Sequence, residues 1–185
     1  RDAWKDVTLL VVSDHGMASS SEGVDLRSAL GEHGIGAEVA PFGGIALVRL
    51  EDPSRRAQAL ERLHALPGVR AFASDALPAE WRYGPADRLG DLVAVTAPPR
   101  FFRAGTLARV ASAVGHFSGA HGYAPKRGDM GGIFFAKGRG VAPGSKLGSV
   151  SMLDVAPTVS RLLGMEPPRQ SEGRPLEALT PPEAP

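Results

Sequence analysis

A chain of 185 residues with 43% hydrophobic and 22% charged side chains can bury one substantial core, so a single domain of ordinary globular composition is expected. Twenty-one basic against 20 acidic residues leave a net charge of +1, which gives no field to draw in duplex nucleic acid or an anionic membrane, and no apolar run nears the roughly 20 residues that span a bilayer. The absence of cysteine excludes disulfides and thiolate metal sites and leaves the compartment open, cytoplasmic or cell envelope.

Val7 to Ser13 is an apolar run of the kind found in central parallel strands buried on both faces, and it stops at Asp14-His15-Gly16. Ligands in open α/β sheets sit beyond the carboxyl ends of such strands. The chain begins at Arg1, without a methionine or a signal peptide, and reaches this strand almost at once, so polypeptide before Arg1 is expected. Val24 to His33 reads as a short helix stopped by Gly34, and Ala37 to Pro41 as a strand. Gly43-Gly44 then turns the chain into a second strand, Ile45 to Leu50.

Asp52 is a good N-cap with Pro53 at the first helical position. Ala57, Leu60 and Leu63 fall on one face of the ensuing helix, and Pro67-Gly68 ends it. Val69 to Ala73 returns as a strand, which makes residues 36–73 a candidate inserted β-β-α-β unit. Asp75 to Leu89, with Trp81 and Tyr83, reads as a surface loop leading into strand Asp91 to Thr96. Thr106 can cap a helix through Val114. A glycine-rich passage from Gly115 to Tyr123 comes next, with His116 and His121 in it. Gly132 to Lys137 is expected as a strand. Ser151 to Leu163 is expected as a helix with Leu153, Ala156, Val159, Leu162 and Leu163 inward, and residues 180–185 as a disordered tail.

Asp14 and His15 lie where the strand ends and Gly16 lets the backbone turn, so both can reach one ion. A carboxylate and an imidazole suit zinc, with manganese or iron also open. Such a pair also occurs as a loop cap, and a histidine among small residues, as His121 is, is ordinarily just exposed. Lys126 and Arg127 can line an anionic path or be solvated surface, and Trp81 and Tyr83 can stack on a substrate ring or anchor their loop. Gly34-Ile35-Gly36 lacks the third glycine and the subsequent helix of a dinucleotide fingerprint. Gly115 to Gly119 has the wrong spacing for a nucleophile elbow.

Three segments in order resemble the alkaline phosphatase superfamily, in its type I phosphodiesterase and nucleotide pyrophosphatase branch. Val11-Val12-Ser13-Asp14-His15-Gly16-Met17 is similar to the branch's strand-end ligand motif. Gly119-Ala120-His121-Gly122-Tyr123, with Met130, Phe135-Ala136 and Gly138 downstream, is similar to its late histidine motif, and Asp154-Val155-Ala156-Pro157-Thr158 to Gly164 to its closing helix. The resemblance implies an α/β fold, with residues 1–179 as the C-terminal part of an alkaline phosphatase-like three-layer sandwich whose central sheet is mostly parallel. It implies two zinc ions in the complete enzyme, Asp14 and His15 on one and His121 on the other. The implied substrate is a small phosphodiester or nucleotide pyrophosphate, with phosphomonoesters, phosphonates and sulfate esters as alternatives. The family's nucleophile and its Asp-x-x-x-His ligand pair have no match, since that spacing occurs nowhere in the chain. The missing N-terminal half of the same domain is therefore the expected partner, the isolated chain is expected to be inactive, and a silent truncated domain is the non-enzyme alternative. Ala124 stands where relatives often carry an acid after the tyrosine.

Overall fold

The computed structural model describes residues 3–103 and 118–179. The expected helix from Thr106 to Val114, His116 and the tail 180–185 lie outside them. Two compact units divide the chain, Arg1–Asp14 with Gly132–Pro185, and His15–Gly131.

The second unit is organised around a four-stranded antiparallel sheet in the order β4 (Ala37–Phe42), β5 (Ile45–Leu50), β7 (Leu92–Val95), β6 (Arg70–Ala73). Hairpin β4–β5 forms at the two-glycine turn, with Phe42 opposite Ile45. Alternation along β5 sends Ala46, Val48 and Leu50 to a core shared with helices α1 (Leu26–Gly31) and α2 (Arg56–His64), while Ile45 joins Val93 and Leu89 in a second cluster. A sheet lined with apolar residues on both sides needs the near-continuous hydrophobic run that β5 and β7 carry.

Helix α2 starts as expected. The Asp52 carboxylate accepts hydrogen bonds from the Ser54 amide at 3.0 Å and hydroxyl at 2.7 Å, and Pro53 opens a 3-10 turn ahead of the helix. Its inward residues are Ala59 and Leu63 with Leu60 beside them, whereas Ala57 is exposed, because the 3-10 turn rotates the stripe relative to a helix counted from Asp52. Helix α1 is shorter than expected. Asp25 caps it through Ser28, so Val24 belongs to β3 (Glu22–Val24), which pairs with β8 (Arg100–Phe102).

β3 and β8 run parallel, and apart from one isolated bridge this is the parallel pairing visible among the described residues; the other ladders are antiparallel. Short strands β2 (Ala18–Ser20) and β9 (Ser118–Ala120) form one of these. The sequence carries no periodicity for such three-residue strands.

In the first unit, β1 (Thr8–Val12) pairs antiparallel with β10 (Phe134–Gly138), its one strand neighbour among the described residues. The run expected to be buried on both faces is half exposed, with Leu9, Val11 and Val12 at 47, 43 and 49% accessibility, because a two-stranded ribbon has little to cover it. Helix α3 (Val155–Leu162) also differs from expectation. Pro157, in its first turn, and Thr158 are buried, while Leu153, Ala156 and Leu163 are exposed. Thr158 sets this orientation: its hydroxyl donates to the Asp154 carbonyl at 2.6 Å and accepts from the Leu176 amide at 2.9 Å, tying the helix to the segment beyond it. Among the described residues no helix is long and apolar enough to cross a membrane.

Candidate metal centre

The end of β1 is fixed within its unit by Ser13, whose amide donates to the Ile133 carbonyl at 3.1 Å and whose hydroxyl accepts from the Ile133 amide at 2.9 Å. The next residue, Asp14, is exposed and is the last residue of the first unit's opening segment. His15 opens the second unit, where the Gly16 amide donates to the Met130 carbonyl at 2.9 Å. A side chain at Gly16 would collide with the carbonyl oxygens of Asp129 and Gly131, so this turn admits only glycine.

His15 lies three residues before β2 and His121 one residue after β9. These strands pair antiparallel with Ala18 opposite Ala120, so the entry to one strand is brought beside the exit from the other. The two imidazoles stack, with ring centroids 4.0 Å apart and planes 9° from parallel. Both are half-buried. His15 Nδ1 lies 2.8 Å from the Gly16 carbonyl oxygen; a carbonyl only accepts, so Nδ1 is the donor in this contact.

The neighbourhood of His121 is held by the β4–β5 turn. The Gly44 amide donates to the His121 carbonyl at 2.7 Å. Gly122 takes a left-handed φ of 75°, and a side chain there would strike the Phe42 carbonyl. Tyr123 is buried, donates to the Arg100 carbonyl at 2.8 Å and accepts from the Ser20 hydroxyl at 2.6 Å. Burial pushes its phenol above the ordinary value, with the Ser20 bond opposing. Arg127 forms a bidentate pair with Asp129, at 3.0 and 2.7 Å, on the exposed surface, which occupies the guanidinium that was a candidate for an anionic path; Lys126 is exposed.

The donor chemistry fits zinc as nitrogen and oxygen ligands. Ring orientation adds a constraint. An ion bound by an imidazole lies in the ring plane, and two stacked, near-parallel planes share no such position close to both nitrogens, so the pair fits one ring per ion. Among the described residues no group of three or more His, Asp or Glu side chains stands arranged to hold an ion. Sequence reasoning missed the support that Gly43-Gly44 and Tyr123 give this centre. Adjacent glycines and a tyrosine two residues past the histidine were visible, but their contacts depend on long-range pairing.

A family model described as type I phosphodiesterase / nucleotide pyrophosphatase matches residues 1–124. Comparison with curated proteins gives no match. Among solved structures, human ectonucleotide pyrophosphatase/phosphodiesterase 5 is similar at 21% identity and a TM-score of 0.73, over 89% of this chain and 42% of its own. The murine protein is similar at 22% identity and a TM-score of 0.74, over 89% of this chain and 43% of its own. An inactive variant of that murine protein, in complex with AMP, gives 22% and 0.74, over 89% and 42%. The mixed α/β, alkaline phosphatase-like fold is shared with these structures, and the chain spans less than half the length of each.

Proposed function

Because the chain belongs to the type I phosphodiesterase / nucleotide pyrophosphatase family, we propose that the protein it comes from hydrolyses phosphodiester or nucleotide pyrophosphate bonds at a two-zinc centre, with Asp14 and His15 on one ion and His121 on the other. The stacked His15–His121 pair is the observation that carries this reading, since its geometry suits two neighbouring ions and does not suit one. The structural relative described in complex with AMP supports a nucleotide among the substrates.

In this reading the paired ions, when bound, lower the pKa of the attacking hydroxyl and neutralise the phosphoryl oxygens. The chain's own residues place and hold the ligands. The Gly16 carbonyl accepts from His15 Nδ1, the bond by which a metal-binding imidazole is ordinarily oriented, and Nε2 would be the atom that meets the ion. The Gly44 amide holds the His121 backbone through its carbonyl. The exposed Asp14 carboxylate supplies the negative charge that offsets a cation. The nucleophile and the remaining ligands lie outside these 185 residues, and the isolated chain is expected to turn over no substrate.

The test is metal content and turnover of the intact protein. Two zinc equivalents are expected, one of them lost in His15→Ala and one in His121→Ala. Each variant should lower hydrolysis of a diester such as bis-4-nitrophenyl phosphate at least about hundredfold, since even residues supporting a ligand cost about 10–100-fold. Hydrolysis of 4-nitrophenyl phosphate faster than of the diester would move the assignment to a monoesterase. A single metal equivalent shared by both histidines would falsify the two-ion arrangement.

A further inference from the structure

The two histidines of the candidate centre are held in different ways. His15 is oriented through its ring, by the bond from Nδ1 to the Gly16 carbonyl at 2.8 Å. Among the described residues the His121 ring makes no hydrogen bond, and its one aromatic contact is the stack on His15. A metal-binding imidazole ordinarily donates its other ring N–H to an acceptor that fixes its orientation. At His121 that task falls to the backbone around it.

Strand β9 ends at Ala120, and the left-handed Gly122 turns the chain so that the Tyr123 hydroxyl reaches Ser20, at the end of β2 remote from His15. That hydroxyl is the meeting point of three segments. It donates to the Arg100 carbonyl of β8 at 2.8 Å, which commits its proton, so the Ser20 hydroxyl donates to it at 2.6 Å. The Tyr123 ring is buried with Ala18, Ala120 and Met130, and lies so close to Gly44 that a methyl group there would collide with it. Gly44 in turn donates its amide to the His121 carbonyl at 2.7 Å. The loop from His121 to Tyr123 therefore grips Gly44 at two points, and one phenol ties its far end to β2 and β8. With both ends tied, the direction in which residue 121 projects its side chain is fixed, and the ring keeps only its side-chain torsions, which the face of His15 narrows. Between the two ties stands a glycine, the residue with the widest backbone range, so slack at the phenol passes straight to His121.

We propose that the Tyr123 hydroxyl is a positioning group of the candidate centre: it holds the His121 ring parallel to His15 and thereby sets the affinity of the ion that His121 binds, without affecting the ion on Asp14 and His15. The proposal rests on the two-zinc reading for the identity of that ion, and its first readout needs no metal. The intact protein is compared with Tyr123→Phe, which keeps the ring, and with Ser20→Ala, which removes one bond of the phenol and leaves the bond to Arg100. Imidazole proton resonances of the chelator-treated protein report the stack, since each ring lies in the shielding region of the other; the two histidines are identified by the loss of their signals in His15→Gln and His121→Gln.

Both sets of signals are expected upfield in the wild type, back at ordinary positions in Tyr123→Phe, and moved in the same direction by less in Ser20→Ala, which carries the test should Tyr123→Phe fail to fold. Zinc titration against a competing chelator should then give one dissociation constant raised about 10–100-fold in Tyr123→Phe, the size usual for groups that support a metal ligand, and the other unchanged. A phenol that served packing alone would lower the melting temperature and leave both readouts where they are. Ring shifts unaltered in the variants overturn the proposal, and so does a loss of affinity shared equally by both ions, which general loosening would give. A wild-type protein that binds other than two zinc ions would count against the two-zinc reading and leave the ring shifts of the metal-free protein to judge Tyr123.

Discussion

Strands β1 and β5 are written in nearly the same alphabet, Thr-Leu-Leu-Val-Val against Ile-Ala-Leu-Val-Arg-Leu, and they meet opposite fates. β5 has a strand on each side, with Ala46 and Val48 fully buried, while β1 has one neighbour among the described residues and leaves Leu9, Val11 and Val12 between 43 and 49% accessible. Apolar and β-branched content is enough to make a strand, but the number of layers and neighbours around it decides whether that strand stabilises anything. Phe135 and Ile133, at 65 and 52%, extend the same exposed apolar surface of the first unit. A surface of that kind is normally covered in a finished protein. The chain spans 42–43% of the solved structures it resembles.

The contrast is tested most severely by truncating one leucine in each strand environment. Leu92 is fully buried in β7, between β5 and β6, and Leu92→Ala in this chain should cost about 2–5 kcal/mol in urea unfolding. Leu9→Ala should cost less than about 1 kcal/mol, because half of that side chain is already in water. Equal losses would mean that β1 is packed as firmly as β7, and the distinction would collapse.

A smaller effect separates hydrogen bonds. Tyr123→Phe removes the phenol shared by Ser20 and the Arg100 carbonyl and leaves buried polar groups unmatched, at an expected cost of about 1–3 kcal/mol. Thr8→Val removes an exposed bond of 2.6 Å to the Arg139 carbonyl, whose oxygen then turns to water, and should change thermal stability by less than about 0.5 kcal/mol.

The smallest effect is acid sensitivity. Ser54, chiefly through its hydroxyl, holds the Asp52 carboxylate below its ordinary value of 3.8. The native state therefore binds fewer protons than the unfolded chain in that range. The contribution of this cap is complete above pH 3.8 and disappears as the pH falls through the lower native value. Ser151, which caps the turn leading into α3, does not titrate. Circular dichroism melts over that interval should show a slope that Asp52→Asn flattens and Ser151→Ala leaves in place.

Much of the second unit is legible in the sequence because its signals are local. The two-glycine turn, the Asp52-Pro53 start and the Pro67-Gly68 stop all act within a few residues of the backbone they direct. The motif histidines are legible as residues, through family resemblance, but their stacking is not, since it arises from β2 and β9, two three-residue strands with no readable period. The inward face of α3 escapes sequence reading for a related reason. Helical spacing points to a buried stripe of leucines, whereas a threonine bonded to a distant amide turns the helix around. The exposure of β1 cannot be read at all, because a string of letters carries no count of its neighbours.

The bond from Gly44 to the His121 carbonyl has a consequence for the history and engineering of such chains. The four-stranded sheet falls in sequence between His15 and His121, in the position of a cassette that could be exchanged between relatives. Its first hairpin, however, reaches out and clamps the backbone of the later histidine, and Gly43 and Gly122 leave no room there for larger residues. A transplanted sheet would have to bring a turn of the same shape with it, so recombination at the borders of this segment is constrained by the chemistry of residues it does not itself contain.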